Sequence, residues 1–132
     1  MEKYGGCLCG DVRFLVQAGP LLSIICHCRT CRRASGAPSV AWVQFRREDV
    51  ELSSGLLSTY ASSPGVTRSF CRRCGTQVMY ASDGSPGTID VTTVCLDDPS
   101  LAPPTCEVWL EHRLEWEPIS DTLSQHMQGS SN

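Results

Sequence analysis

The chain has 132 residues, which fits one domain, and its 41% hydrophobic and 19% charged residues are typical of a globular protein rather than a disordered one. The formal net charge of −3, without a long basic run, argues against nucleic acid as a partner. Its apolar runs are too short for a membrane span, and MEKYGGCLCG lacks the apolar core of a signal peptide, so we expect a cytosolic protein.

Short segments of strand-like composition follow one another along the chain. They are rich in β-branched and aromatic residues, and the 11 glycines and 8 prolines separate them. In chain order they are VRFLV (12–16), LLSIIC (21–26), SVAWVQF (39–45), LLSTYA (56–61), QVMYA (77–81), TIDVTTV (88–94) and CEVWL (106–110). In SVAWVQF the even-numbered residues, among them Trp42 and Gln44, are expected to share one face of a strand.

Helical signals are short and few. RTCRRAS (29–35) predicts a turn or two of helix, and RREDV (46–50) predicts about one turn. We therefore predict a single, mainly β domain over residues 1–120, followed by a polar tail, residues 121–132, that is expected to fray. A glycine- and proline-rich β domain of this size often needs a stabilising cross-link, such as a bound metal ion.

The nine cysteines are the most informative feature of the composition. Disulfides are a poor explanation for them, because the expected compartment is reducing and the number is odd. Metal binding is the better hypothesis. The cysteines fall into three motifs, CLC (Cys7, Cys9), CHCRTC (Cys26, Cys28, Cys31) and CRRCG (Cys71, Cys74), with Cys95 and Cys106 standing alone.

The two outer motifs predict a closed structural zinc site. CRRCG has the form of a zinc knuckle, in which a tight turn directs two thiolates at one metal and the glycine supplies an unusual backbone conformation. Such a knuckle supplies half of a tetrahedral site. CLC can supply the other half, because residues i and i+2 of a strand point to one side. The alternative is that Cys7 and Cys9 are simply buried thiols.

The central motif predicts a zinc with an open position. Cys26, Cys28 and Cys31 can face one metal if a strand ends at Cys28 and a turn brings Cys31 back. His27 points away from them in a regular strand, which makes it a poor fourth ligand. Three protein ligands are typical of catalytic zinc, whose fourth position takes water or substrate. Thiolate ligands suit zinc, although they do not exclude iron.

Two alternatives for the central motif stay open. Cys95 or Cys106 could supply a fourth ligand and close the site, or the three thiols could form a labile, metal-free cluster. Arginines are interleaved with the ligands and would offset the negative charge of three thiolates. Arg32 among them, and Arg68 in GVTRSF, are candidates for binding an anionic substrate, although Arg68 could equally pair with an acidic residue.

Four segments, GGCLCGDVRF, CHCRTCRRASGA, SSPGVTRSFCRRCGT and TIDVTTVCLDDP, resemble the glutathione-dependent formaldehyde-activating enzyme family, whose motifs the centromere protein V family shares. The resemblance covers roughly residues 4–118. It implies a β-tent type fold of coiled antiparallel sheets and two zinc ions per chain. The implied ligands are Cys7, Cys9, Cys71 and Cys74 for a structural zinc, and Cys26, Cys28 and Cys31 for a catalytic one.

The resemblance also implies an activity, the condensation of formaldehyde with glutathione, formally a carbon–sulfur lyase reaction. The expected partner is then a small thiol such as glutathione. This chain departs from the family in having Cys106 where a histidine is common, and DTLSQ (121–125) where a D-G-L-P-like run is common. The alternatives to an enzyme are a non-catalytic zinc-binding interaction module and a metal-delivery or redox-sensing protein. A fourth protein ligand at the central site would favour the module.

Overall fold

The computed structural model describes residues 2–129 and is mainly β, with 43% strand and 15% helix. The strands are β1 (Lys3–Gly6), β2 (Arg13–Val16), β3 (Leu22–Cys26), β4 (Val40–Arg46), β5 (Val50–Ser54), β6 (Leu57–Ser63), β7 (Val66–Cys71), β8 (Gln77–Ser82), β9 (Thr88–Thr92), β10 (Cys106–Val108) and β11 (Ser124–Gln125). The helix α1 spans Arg29–Ser35, and short 3-10 turns span Arg47–Asp49, Thr93–Cys95, Pro99–Leu101 and Leu110–His112.

The strands form two sheets. The smaller has the order β1-β2-β5, and the larger has the order β11-β10-β3-β4-β9-β8-β7-β6. Neighbouring strands are antiparallel from β3 through to β6, whereas β10 runs parallel to both β3 and β11. The predicted mainly β fold is confirmed, and each predicted strand segment contains a strand.

The hydrophobic core joins the two sheets. Phe14 and Val16 of β2 form one buried cluster with Val43 and Phe45 of β4, and all four are fully buried. Burying a side chain of this kind is worth about 1.5–3 kcal/mol. Gly5 of β1 lies against this cluster, where a Cβ atom would sit 2.3 Å from the Phe14 ring. A glycine is therefore required for β1 to pack this closely.

The two faces of β4 separate the core from the site described below. Val43 and Phe45 point into the core, whereas Trp42 and Gln44 line a cavity on the opposite face of the larger sheet. This is the alternation that the sequence predicts. The helix α1 follows β3 and contributes residues to the lining of the same cavity, and its predicted bounds agree with the observed ones.

The segment for which the sequence predicts fraying, residues 121–132, is hydrogen-bonded over part of its length. The His126 backbone N–H donates to the Glu107 carbonyl at 2.9 Å, and the Trp109 N–H donates to the Gln128 carbonyl at 3.0 Å. Residues 130–132 lie outside the described part of the chain. None of the helices described between residues 2 and 129 is both long and apolar enough to span a membrane.

Candidate metal centres

The sulfur atoms of Cys7, Cys9, Cys71 and Cys74 form a compact cluster. All lie within 4.8 Å of one another, with 3.6 Å between Cys7 and Cys9 and 3.9 Å between Cys9 and Cys71. Four sulfurs bound tetrahedrally to zinc at about 2.3 Å stand roughly 3.8 Å apart. The four side chains therefore fit a closed zinc site, which we call the Cys₄ site.

Two tight turns position these ligands. The first follows β1 and is closed by the hydrogen bond from Cys7 N–H to the Val12 carbonyl, at 3.1 Å. The second is the predicted knuckle, in which Gly75 donates to the Cys71 carbonyl at 2.8 Å with φ of +80°. Backbone N–H groups also reach the sulfurs, from Val12 to Cys7 at 3.2 Å and from Cys74 to Cys71 at 3.4 Å. Such donors stabilise thiolates.

The Thr76 hydroxyl connects the two turns. It hydrogen-bonds the Cys74 sulfur at 3.1 Å and accepts the Leu8 N–H at 3.1 Å. The Thr76 hydroxyl is the main reason why the pKa of Cys74 falls to about 5. A thiolate at Cys74 suits cation binding, which requires deprotonated thiols.

Cys26, Cys28 and Cys31 form a second cluster, which we call the Cys₃ site. Their sulfurs also lie within 4.8 Å of one another. Cys26 ends β3, and Cys28 caps α1, its sulfur accepting the Cys31 N–H at 3.3 Å. Within residues 2–129, no further Cys, His, Asp or Glu atom joins this cluster, so neither Cys95 nor Cys106 closes it.

His27 points away from the Cys₃ site, as strand alternation predicts. Its Nε2 lies 2.8 Å from a carboxylate oxygen of Glu107, and the two side chains are only 1% and 2% exposed. The other Glu107 oxygen accepts the Ser120 N–H at 2.7 Å. The His27 backbone N–H also donates to the Val108 carbonyl at 3.0 Å. This buried pair fastens the ligand loop to β10 and to the segment beyond it.

The thiols of the Cys₃ site differ in acidity. Hydrogen bonds from Cys26 and Cys31 hold the pKa of Cys28 far below its usual range, whereas hydrogen bonding to Cys28 and Cys31, together with burial, raises the pKa of Cys26. Hydrogen bonding within the cluster therefore favours one shared negative charge, with a thiolate at Cys28 and a proton at Cys26. A second and third deprotonation need a cation.

A cavity of about 480 Å³ opens beside the Cys₃ site. Its wall is a row of side chains in register across four strands, in which Gln44 of β4 faces Asp90 of β9, Asp90 faces Tyr80 of β8, and Tyr80 faces Arg68 of β7. Besides the three cysteines, the remaining lining is mostly apolar and aromatic, with two further basic residues: Leu22, Ile24, Thr30, Trp42, Val108, Trp109, Gly129, Arg29 and His112.

Arg68 places a buried positive charge against the thiols. It is 5% exposed, and its Nη2 donates to Thr30 Oγ1 at 3.2 Å and to the Cys31 sulfur at 3.6 Å. The ion pairs found among residues 2–129 do not include it, so the alternative of pairing with an acidic side chain is not observed. Arg32, the other predicted anion-binding arginine, lies on α1 outside the cavity lining, to which Arg29 contributes instead.

Tyr80, Asp90 and Gln44 are cavity residues that the sequence analysis missed. Gln44 Nε2 donates to Asp90 Oδ1 at 3.2 Å, and burial raises the pKa of Asp90 to about 6. The alternation within QVMYA and TIDVTTV carried a signal for them, because it places Tyr80 and Asp90 on definite faces of their strands. Which faces meet depends on strand order, which spacing does not reveal.

Known proteins resemble this chain over most of its length. A family model for the glutathione-dependent formaldehyde-activating enzyme matches residues 2–112. An uncharacterized lyase of Schizosaccharomyces pombe is 35% identical over 81 residues, which cover 61% of this chain and 58% of that relative. The match thus spans less than two thirds of the yeast protein. A crystal structure of a Rhodobacter sphaeroides protein superposes with a TM-score of 0.61 at 25% identity, covering 71% of this chain and 87% of that one.

Proposed function

Because the chain belongs to the glutathione-dependent formaldehyde-activating enzyme family, we propose that it is a zinc-dependent carbon–sulfur lyase-type enzyme acting on the adduct of glutathione with formaldehyde or a related small electrophile. One observation carries the proposal. Three thiols converge beside a cavity large enough for a small thiol, and the described residues supply no fourth ligand. The matching yeast relative is named a lyase, which supports this class of reaction.

Both clusters suit zinc, and we propose one ion at each. Cys7, Cys9, Cys71 and Cys74 would hold a structural zinc in a closed sphere. Cys26, Cys28 and Cys31 would hold a catalytic zinc, which lowers the pKa of a substrate thiol in its fourth position and keeps that thiol nucleophilic. The all-thiolate donor set suits zinc without excluding iron, and the choice of zinc rests on the resemblance to the family.

The surrounding residues would orient the substrate. Arg68 offsets the negative charge of the thiolates, which otherwise repels an anionic thiol. Arg29 and His112 line the same cavity and would face the carboxylates of a glutathione-like substrate. A role for Arg32 stays a prediction. Trp42 supplies apolar wall that excludes water from the thiols. A cytoplasmic location, where thiols stay reduced, is part of the proposal.

Replacing one cysteine in each cluster tests the assignment. Cys28→Ser should leave the fold and one zinc per chain intact while acceleration of the glutathione–formaldehyde exchange, measured by exchange NMR, falls to the spontaneous rate. Cys71→Ser should lose the folded circular dichroism spectrum, because structural zinc sites supply folding free energy. Full turnover in Cys28→Ser would sink the catalytic assignment.

The wild-type protein provides the second comparison. If it binds two zinc ions and yet leaves the exchange at the spontaneous rate, the enzyme proposal fails. The chain would then be a non-catalytic zinc-binding module within the family, because fold alone does not define activity.

A further inference from the structure

Tyr80 is held beside the Cys₃ site by packing on its ring. The Arg68 guanidinium lies 5.1 Å from the ring centroid, and the Trp42 ring lies 5.8 Å away at 55°. The same guanidinium donates to the Cys31 sulfur at 3.6 Å, so Arg68 contacts both the Tyr80 ring and a thiol of the Cys₃ site. Cation–π and tilted aromatic contacts of this kind fix a ring in place.

The Tyr80 hydroxyl is available to a ligand. The residue is half-buried and lines the cavity, and burial and neighbouring charges, rather than a hydrogen bond, account for its altered acidity. No hydrogen bond to the Tyr80 oxygen is found among residues 2–129. Buried tyrosine hydroxyls usually form a hydrogen bond, and here a ligand in the cavity would supply the bonding partner.

Resting on the function proposed above, we infer that Tyr80 is a further catalytic residue whose hydroxyl donates a hydrogen bond, and then its proton, to the aldehyde oxygen. The thiol first releases its proton to solvent, and a sulfur lone pair then forms the C–S bond. The π pair of the C=O bond moves onto oxygen, which takes the Tyr80 proton. The phenolate recovers a proton from solvent. The net reaction therefore adds the thiol to the aldehyde and yields the hydroxymethyl thioether, with all atoms and charges balanced. The reverse reaction runs through the same groups.

Charge explains why a donor is needed at this position. The oxygen becomes negative next to a cluster of thiolates, where further negative charge is disfavoured, and an oriented donor offsets that cost. Burial, together with the charges of Cys31, Asp90 and Cys28, raises the pKa of Tyr80. The phenol therefore keeps its proton at neutral pH. The positive charge of Arg68 acts in the opposite direction but does not reverse the shift.

Tyr80→Phe removes the donor and little else. Loss of one such donor typically costs about 10²–10³ in rate, so we expect exchange to slow by roughly 100-fold. Glutathione should bind the cobalt-substituted protein with unchanged affinity, read from its thiolate-to-metal absorption. Tyr60→Phe is the matched control, because Tyr60 also faces Arg68 across the strands but is 66% exposed and lies outside the cavity. It should behave like the wild type.

NMR of tyrosine labelled with carbon-13 at Cζ gives a readout that does not depend on turnover. The chain has 3 tyrosines, and the spectrum of Tyr80→Phe identifies the Tyr80 signal. S-hydroxymethylglutathione should shift that signal, whereas S-methylglutathione, which lacks the oxygen, should not. A Tyr80→Phe rate within threefold of the wild type, or equal shifts with both ligands, overturns the inference. If the wild type shows no catalysis, the proposed function fails, and the shifts alone decide whether Tyr80 contacts the oxygen.

Discussion

Replacing Asp90 with asparagine should make the protein more stable at neutral pH. Asp90 lines a mostly apolar cavity, and its hydrogen bond within the described residues comes from the neutral amide of Gln44, at 3.2 Å. It takes part in none of the ion pairs found among residues 2–129. An ionised carboxylate in this setting loses hydration without gaining a cation. Asparagine has the same shape and keeps an oxygen for Gln44.

The size of the effect follows from the acidity of Asp90. Burial raises its pKa from 3.8 to about 6. Because the folded state holds the proton more tightly, stability falls as the pH rises from 3.8 to about 6, and the full cost applies above that range. Two pKa units correspond to about 3 kcal/mol, at roughly 1.4 kcal/mol per unit. Asp90 is only half-buried, so solvent screening reduces the expected gain to about 1–2 kcal/mol.

Urea unfolding of the zinc-loaded protein at pH 7.5 measures this gain. Asp90→Asn should raise the urea concentration at the unfolding midpoint. The slope of the free energy against urea should stay the same, because a changed slope would mean that unfolding exposes a different amount of surface. Asp83→Asn is the control, because Asp83 is exposed and should respond by less than about 0.5 kcal/mol. An Asp90→Asn protein that is less stable than the wild type, or that only matches Asp83→Asn, would refute the reasoning.

Two further substitutions test other contacts. Arg68→Met should weaken zinc binding at the Cys₃ site by about 10–100-fold in chelator competition, because the donor to the Cys31 sulfur is lost; an unchanged affinity would contradict that role. Gly5→Ala should lower the free energy of unfolding by about 1–3 kcal/mol, because the new Cβ would lie 2.3 Å from the Phe14 ring. Gly19→Ala, where a Cβ meets open space, is the control, and equal urea midpoints for the two variants would count against the packing argument.

Two kinds of feature were predictable because they are local. The turn at Cys71 to Gly75 and the helix after Cys28 each depend on a few consecutive residues, and the structure contains both. Strand segments with clear alternation were predictable for the same reason, and β4 is an example, with Trp42 and Phe45 on opposite faces. Local chemistry was sufficient to find these elements.

The missed strands lack such a local signal. β1 (Lys3–Gly6) contains two glycines, β5 (Val50–Ser54) is almost entirely exposed, and β7 (Val66–Cys71) alternates weakly. β11 (Ser124–Gln125) has two residues and depends on pairing with β10. These strands form because a neighbour supplies partners for their backbone groups, which is a tertiary effect that overrides composition.

The cavity wall could not be predicted for a related reason. Gln44, Asp90, Tyr80 and Arg68 lie on four strands, and only the strand order and register bring them into one row. A shift of one residue in any pairing would turn a side chain to the other face. Arg68 was singled out from the sequence, but its contact with a thiol, rather than with an acid, depends on this register.

The two clusters differ in how far apart their ligands lie along the chain, and this difference has a thermodynamic consequence. Cys26 and Cys31 are close neighbours even in an unfolded chain, whereas Cys7 meets Cys74 only when more than half the chain is folded. Loop-closure entropy makes the second encounter costlier by roughly 2 kcal/mol. A metal ion bound to the Cys₃ site can stay with the unfolded protein and so adds little to stability, because only binding that discriminates against the unfolded state stabilises. The Cys₄ site discriminates strongly, so a zinc ion bound there would stabilise the folded state, whereas zinc at the Cys₃ site would contribute little to folding.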